Sequence, residues 1–166
     1  MLVAGLAEVC LQDNLARFKV DAEEFNVNIQ HVPLQEKEKA YVPYIGNGMF
    51  GLTLDANSPV YIRNGRCLSQ PVYWQPNIDA SFRASESQEA VLLHYVDGVA
   101  YKYQCFSNGL SVISEYYAHR RLPMLLVQNV RLTNPTDAVL LVELQRLETN
   151  NWATSSSQVI KYGLKN

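Results

Sequence analysis

Residues Asp97 to Glu148 read DGVAYKYQCFSNGLSVISEYYAHRRLPMLLVQNVRLTNPTDAVLLVELQRLE, and this stretch decides the fold. Asp97-Gly98 and Asn108-Gly109 are dipeptides that tolerate positive φ and suit two-residue hairpin loops. Between them Val99, Tyr101, Tyr103 and Cys105 alternate with Ala100, Lys102, Gln104 and Phe106, the two-residue period of a half-buried strand. The alternation resumes with Leu110, Val112, Ser114 and Tyr116. A third apolar run, Met124 to Leu132, stops at Thr133-Asn134-Pro135-Thr136-Asp137, where proline cannot donate to a ladder and Asn and Asp close local turns. A fourth run follows from Ala138, with Leu140, Val142 and Leu144 on one side and Glu143 and Gln145 on the other. Four strands joined by short loops predict an antiparallel meander.

Upstream, the same punctuation continues. Asn64-Gly65 joins Val60-Tyr61-Ile62 to Cys67-Leu68 and is the best hairpin signal there. Pro71, Pro76 and Asn77 bracket Tyr73-Trp74 in a loop, residues 84–89 are polar, and the run Ala90 to Val96 should pair across Asp97-Gly98. Asn47-Gly48 reads by turn chemistry as a hairpin, while Gly46, Gly48 and Gly51 together suit a loop whose backbone something approaches closely. So many Gly turns and short runs predict a mainly β protein, an antiparallel β-sandwich over residues 41–150.

Residues 1–40 differ. Leu11, Leu15, Phe18, Ala22 and Phe25 recur at helical spacing, which predicts a packing helix over part of 6–24. Val27 to Pro33 reads as a short strand, and Gln35-Glu36-Lys37-Glu38-Lys39 as a solvated linker. Residues 151–166 read as a linker or a truncated end.

Composition narrows the function classes. The chain has 166 residues, 14 Lys+Arg against 16 Asp+Glu and a net charge of −2. That balance carries no overall electrostatic footprint for nucleic acid or an anionic membrane. No apolar run approaches the ~18 residues of a membrane span, and the opening MLVAGLAEVCL lacks a basic start and is broken by Glu8, so no signal peptide and no membrane insertion are expected. Asn134-Pro135-Thr136 carries the proline that blocks glycosylation. Cys10, Cys67 and Cys105 show no CxxC spacing, which argues against a metal site. A Cys67–Cys105 disulfide and two buried free thiols are both open readings.

Tyr41 to Asp55, YVPYIGNGMFGLTLD, resembles the Gly-Asn-Gly-aromatic-x-Gly segment that opens the N-terminal β-sandwich of the maltose, kojibiose and trehalose phosphorylase family, with Met49 inserted before Phe50 and Gly51. The later order also fits: His119-Arg120-Arg121, then Leu125 to Leu132, then Asn134-Pro135-Thr136-Asp137 and Val139 to Leu144. In that family this super-sandwich precedes an (α/α)₆ barrel. Residues 41–150 resemble still more closely an uncharacterised family of animal type I single-pass membrane proteins, whose lumenal region in the endoplasmic reticulum carries a domain of unknown function. The resemblance implies a fold and a lumenal location. It implies no catalytic residue, because the phosphorylase acid and phosphate ligands lie in the barrel.

The chemistry points the same way. Glycoside cleavage needs two carboxylates about 5–9.5 Å apart, and Asp55, Asp79, Glu86, Glu89, Glu115, Glu143 and Glu148 form no recognisable motif. His31, His94 and His119 lack metal spacing, and no Gly-x-Ser-x-Gly elbow exists. His94 reads as a hydrogen-bonded core or boundary residue, and Arg120-Arg121 beside Glu115 as a strand-end ion pair. Tyr73, Trp74, Trp152 and Asn47 are the binding candidates, since sugar faces stack on loop aromatics. The expectation is a non-catalytic lumenal sandwich from a larger membrane protein, with no cofactor. It would pack on a helical domain of the same protein or on a lumenal partner. The alternative is a carbohydrate-binding or accessory domain of a glycoside-active enzyme.

Overall fold

The computed structural model describes residues 5–54, 59–72, 78–81, 87–137, 139 and 143–146. Two helices, α1 (Leu6–Ala16) and α2 (Lys19–Glu23), lead into the strands. These are β1 (Val27–Val32), β2 (Tyr44–Gly46), β3 (Phe50–Thr53), β4 (Val60–Asn64), β5 (Cys67–Val72) and β6 (Ile78–Ser81). They continue as β7 (Ser87–His94), β8 (Val99–Phe106), β9 (Ser111–Ala118), β10 (Leu126–Thr133) and β11 (Glu143–Arg146). The protein is mainly β and sandwich-like, as its turns and alternation require.

The larger sheet has five antiparallel strands in the order β1-β7-β8-β9-β10. Register fixes its faces. Ala90, Leu92, Tyr103 and Cys105 point one way and are essentially inaccessible. Against them lies α1, whose Ala7, Leu11 and Leu15 recur every fourth residue and continue into Phe18, a single apolar stripe. Burying each leucine contributes about 2 kcal/mol by the area rule. The other face carries Leu93, Ala100 and Tyr116, which pack on Ile45, Phe50, Leu52, Val60 and Val72 of the second sheet, order β2-β3-β4-β5. The molecule is therefore layered helix, sheet, sheet. Because both faces of β8 are covered, Tyr103 and Ala100 on opposite sides are both fully buried.

Several local expectations change. The apolar stripe ends early: the first helix stops at Ala16, Ala22 is exposed, and Phe25 adopts φ 59° and is 87% exposed. The meander is β7-β8-β9-β10, so its first strand is Ser87–His94. The fourth run of the quoted stretch instead pairs with β6, Glu143 opposite Ser81. The hairpins at Gly98 and Gly109 are longer than two residues. His94 pairs with Val99 around a four-residue loop closed by the Gly98 amide donating to the His94 carbonyl, 3.0 Å. The Phe106 amide donates to the Leu110 carbonyl around residues 107–109. At the β4–β5 turn the positive-φ residue is Gly65 as expected, but Asn64 stays in the ladder opposite Cys67, so the two turn residues are Gly65 and Arg66.

The cysteine pairing is also corrected. Cys10 on α1 is disulfide-bonded to Cys105 on β8, and Cys67 is a free, exposed thiol. Cys105 points to the helix side of the large sheet, while β5, which carries Cys67, lies in the sheet packed on the opposite side. The large sheet stands between them, so Cys67 cannot reach Cys105.

Candidate functional site

The outer face of the four-stranded sheet holds an open groove of about 440 Å³. Strand alternation builds it. Ile45, Phe50, Leu52 and Val60 turn inward to the core, so Tyr44, Gly46, Gly51, Thr53 and Tyr61 turn outward. Register aligns Gly46, Gly51 and Tyr61 in one row across β2, β3 and β4, with Tyr44 opposite Thr53 in the next. The absent side chains of the two glycines make the trough, and the two tyrosines stand along it, 59% and 42% exposed. Leu68 completes the lining because of a bulge. The register shift between Ile62 and Arg63 leaves an extra residue in β5, so Leu68 pairs with Arg63 and shares the face of Tyr61.

Among the described residues the groove carries no charged side chain. Tyr44, Pro59, Tyr61 and Leu68 supply apolar surface to its wall, and among the described residues no carboxylate, histidine, lysine or arginine lines it. Besides the two tyrosine hydroxyls, its polar side chains among the described residues are Thr53, whose buried Oγ1 has no hydrogen-bond partner among those residues, and Asn47 at one end. Such an arrangement can hold a neutral or apolar partner, and among the described residues it brings together no acid, base or nucleophile pair for bond cleavage.

Asn47 lines the groove yet is already engaged. Its Nδ2 donates to the carbonyl oxygens of Pro123, 2.8 Å, and His119, 3.3 Å, and its Oδ1 accepts from the amides of Met49 and Phe50. It is a clamp between the β2–β3 turn and the β9–β10 loop. What approaches the glycines closely is the chain itself. A Cβ on Gly46 would lie 2.8 Å from the Phe50 carbonyl oxygen, and one on Gly51 would lie 3.2 Å from Leu68. Tyr73, Trp74 and Trp152 lie outside the described residues. Tyr44 and Tyr61 were not singled out by sequence, although each follows or precedes an inward-facing isoleucine, which is the signal that places its ring outside.

The other candidates separate. Glu115 accepts from Asn129 Nδ2 at 3.0 Å, and among the described residues it makes no ion pair with Arg120 or Arg121, correcting the expected bridge. Glu89 meets Gln104 Nε2 at 3.1 Å and Lys102 at 3.8 Å. His94 is a boundary residue between two carboxylates, Asp97 at 2.9 Å and Asp21 at 3.5 Å. Neither contact is aligned as a hydrogen bond, unlike the expectation. His31 Nδ1 lies 2.6 Å from Glu38. No group of three metal-ligating side chains exists among the described residues, and no described helix is long and apolar enough to cross a membrane.

Fold and groove together define a sandwich-like β protein that presents, on its four-stranded sheet, a cleft with no charged lining among the described residues. The chain belongs to the family described as uncharacterized conserved protein (DUF2152), which matches residues 2–165. It is 22% identical to an uncharacterized protein KIAA2013 homolog of Xenopus laevis over 95% of this chain. It spans only 27% of that relative's length. No solved structure matches it.

Proposed function

We propose that this domain is a non-catalytic sandwich of a longer lumenal protein, and that it docks a partner through the groove on its four-stranded sheet. The observation that carries the reading is the pair Tyr44 and Tyr61, large rings left exposed along a glycine trough with no charged side chain beside them among the described residues. Exposed aromatic side chains of this kind are enriched in contact surfaces. The Cys10–Cys105 bond supports an oxidising compartment, since such bonds persist in the secretory lumen and not in the cytosol. The partner in this reading is a helical domain of the same polypeptide or a separate lumenal protein, in keeping with a relative several times longer than the chain.

Hydroxyl-radical footprinting tests it. Tyr44 and Tyr61 should be modified readily in the 166-residue chain and be protected in the longer protein. Equal reactivity in both would sink the reading.

A second reading rests on the same rings. Two tyrosines beside a glycine floor also suit the flat C–H face of a sugar, which would make the domain a carbohydrate-binding or accessory module. Selective retention on a glycan array, lost in a folded Tyr61→Ala variant, would establish it. No retention by the folded chain would remove it and leave the docking reading.

A further inference from the structure

We propose that the β9–β10 loop, residues 119–125, is a preformed tip that docks on an anionic lipid surface. The inference is independent of the groove. Its starting point is a run of six consecutive exposed residues, Arg120 to Leu125. Leu122 is 57% exposed, Met124 79% and Leu125 42%. Apolar side chains this bare are ordinary singly, but three within four residues form a patch. Two arginines precede them directly, and among the described residues neither makes an ion pair.

The tip is rigid. The last rung of the ladder is the His119 amide donating to the Leu125 carbonyl, 2.9 Å, so the loop projects beyond the paired strands. Inside it, His119 Nδ1 accepts from the amides of Arg121 and Leu122, 3.1 Å each, and the Leu125 amide donates to the Leu122 carbonyl. From outside, Asn47 holds the carbonyls of Pro123 and His119. A loop so fastened loses little conformational entropy on binding. The fastening therefore maintains an exposed apolar tip instead of letting it fold inward.

The residue order chooses the occupant. Arginine guanidinium groups suit phosphate oxygens, and the leucines and methionine suit the hydrocarbon just beneath. The basic pair stands directly beside the apolar side chains, so one tip can meet headgroup phosphate and the hydrocarbon beneath it together. The overall net charge of −2 hides this, because attraction to anionic headgroups is local and decays within a Debye length.

The test is co-sedimentation of the 166-residue chain with phosphatidylcholine vesicles, with and without phosphatidylserine. Binding should require phosphatidylserine and weaken with added salt. Arg120→Gln with Arg121→Gln should lower affinity about thirty-fold, from about 1 kcal/mol per arginine. Leu122→Ser with Met124→Ser should lower it about tenfold or more, with the salt dependence kept. All four side chains are exposed, so both variants should unfold with the wild-type midpoint. If one does not fold, the other and the salt titration carry the decision. No binding to phosphatidylserine vesicles at low salt, or wild-type binding by both double variants, overturns the proposal and assigns the tip to a protein interface.

Discussion

Cys10 on the first helix is covalently joined to Cys105 in the centre of the large sheet, 95 residues later. The helix also rests on the sheet through the apolar side chains of Ala7, Leu11 and Leu15, with Phe18 just beyond its end. Closing so long a loop restricts the unfolded chain, so Cys10→Ser should cost about 2–5 kcal/mol. Urea denaturation of the two proteins measures it. The same loss should follow reduction of the wild type, while Cys67→Ser, at an exposed free thiol, should change the midpoint little. A wild type indifferent to reductant would contradict the staple.

Asn47 fastens two loops with one amide, and the second prediction isolates that. Asn47→Ala removes the bonds to Pro123 and His119 together with the turn acceptor for Met49. The expected cost is about 1–2 kcal/mol. Hydrogen exchange should quicken at the amides of Met49 and of the 119–125 loop and stay unchanged across β7 and β8. Asn47→Asp keeps the acceptor and loses the donor. It should therefore protect Met49 while releasing the loop.

Much of this architecture was written in local patterns. Val112, Ser114 and Tyr116 alternate inward as the period of two demands, and the Leu11–Leu15–Phe18 stripe found the sheet. What was not legible was long-range. No local rule says that Cys105 faces α1 or that Glu143 pairs with Ser81, because both follow from which sheet face each strand receives. The groove was hidden for the same reason. Tyr44 and Tyr61 lie 17 residues apart in sequence, and only the β2-β3-β4 order brings them to one trough. The bulge that turns Leu68 outward leaves no trace in composition. Asn47 drew notice for its glycine neighbours, and its partners, 72 and 76 residues away, revealed the role.

Glu38 sets an acid limb. Burial pushes its carboxyl up, but the His31 side chain and the amides of His31 and Gln35 outweigh that and hold it below its ordinary 4.5. A depressed folded value means the stabilisation is present above the unfolded pKa and is lost as pH falls through the folded one. Stability should therefore drop below about pH 4.5, and Glu38→Gln should remove part of that drop while lowering stability at neutral pH by about 1 kcal/mol. Urea titrations across the acid range would show it. Parallel wild-type and variant curves would exclude the contribution.

Tyr103 sets the alkaline limb. Its side chain is fully buried, and burial pushes its phenol up to about 12, against the opposing pull of Arg17, whose guanidinium donates to the phenol oxygen. Burial, aided by Tyr95, raises Tyr41 to about 12 as well. Here the folded value lies above the unfolded 10, so the stabilisation is complete below pH 10 and is lost as pH rises from about 10 towards 12. For Tyr103 that loss amounts to about 2–3 kcal/mol, the linkage value of a two-unit rise. Ultraviolet titration should find tyrosinate from these two residues forming only as the chain unfolds. Tyr103→Phe should flatten the alkaline fall in stability, at the expense of the Arg17 bond, which lowers stability uniformly below pH 10. An unchanged alkaline slope in that variant would show that Tyr103 ionises without unfolding the sheet.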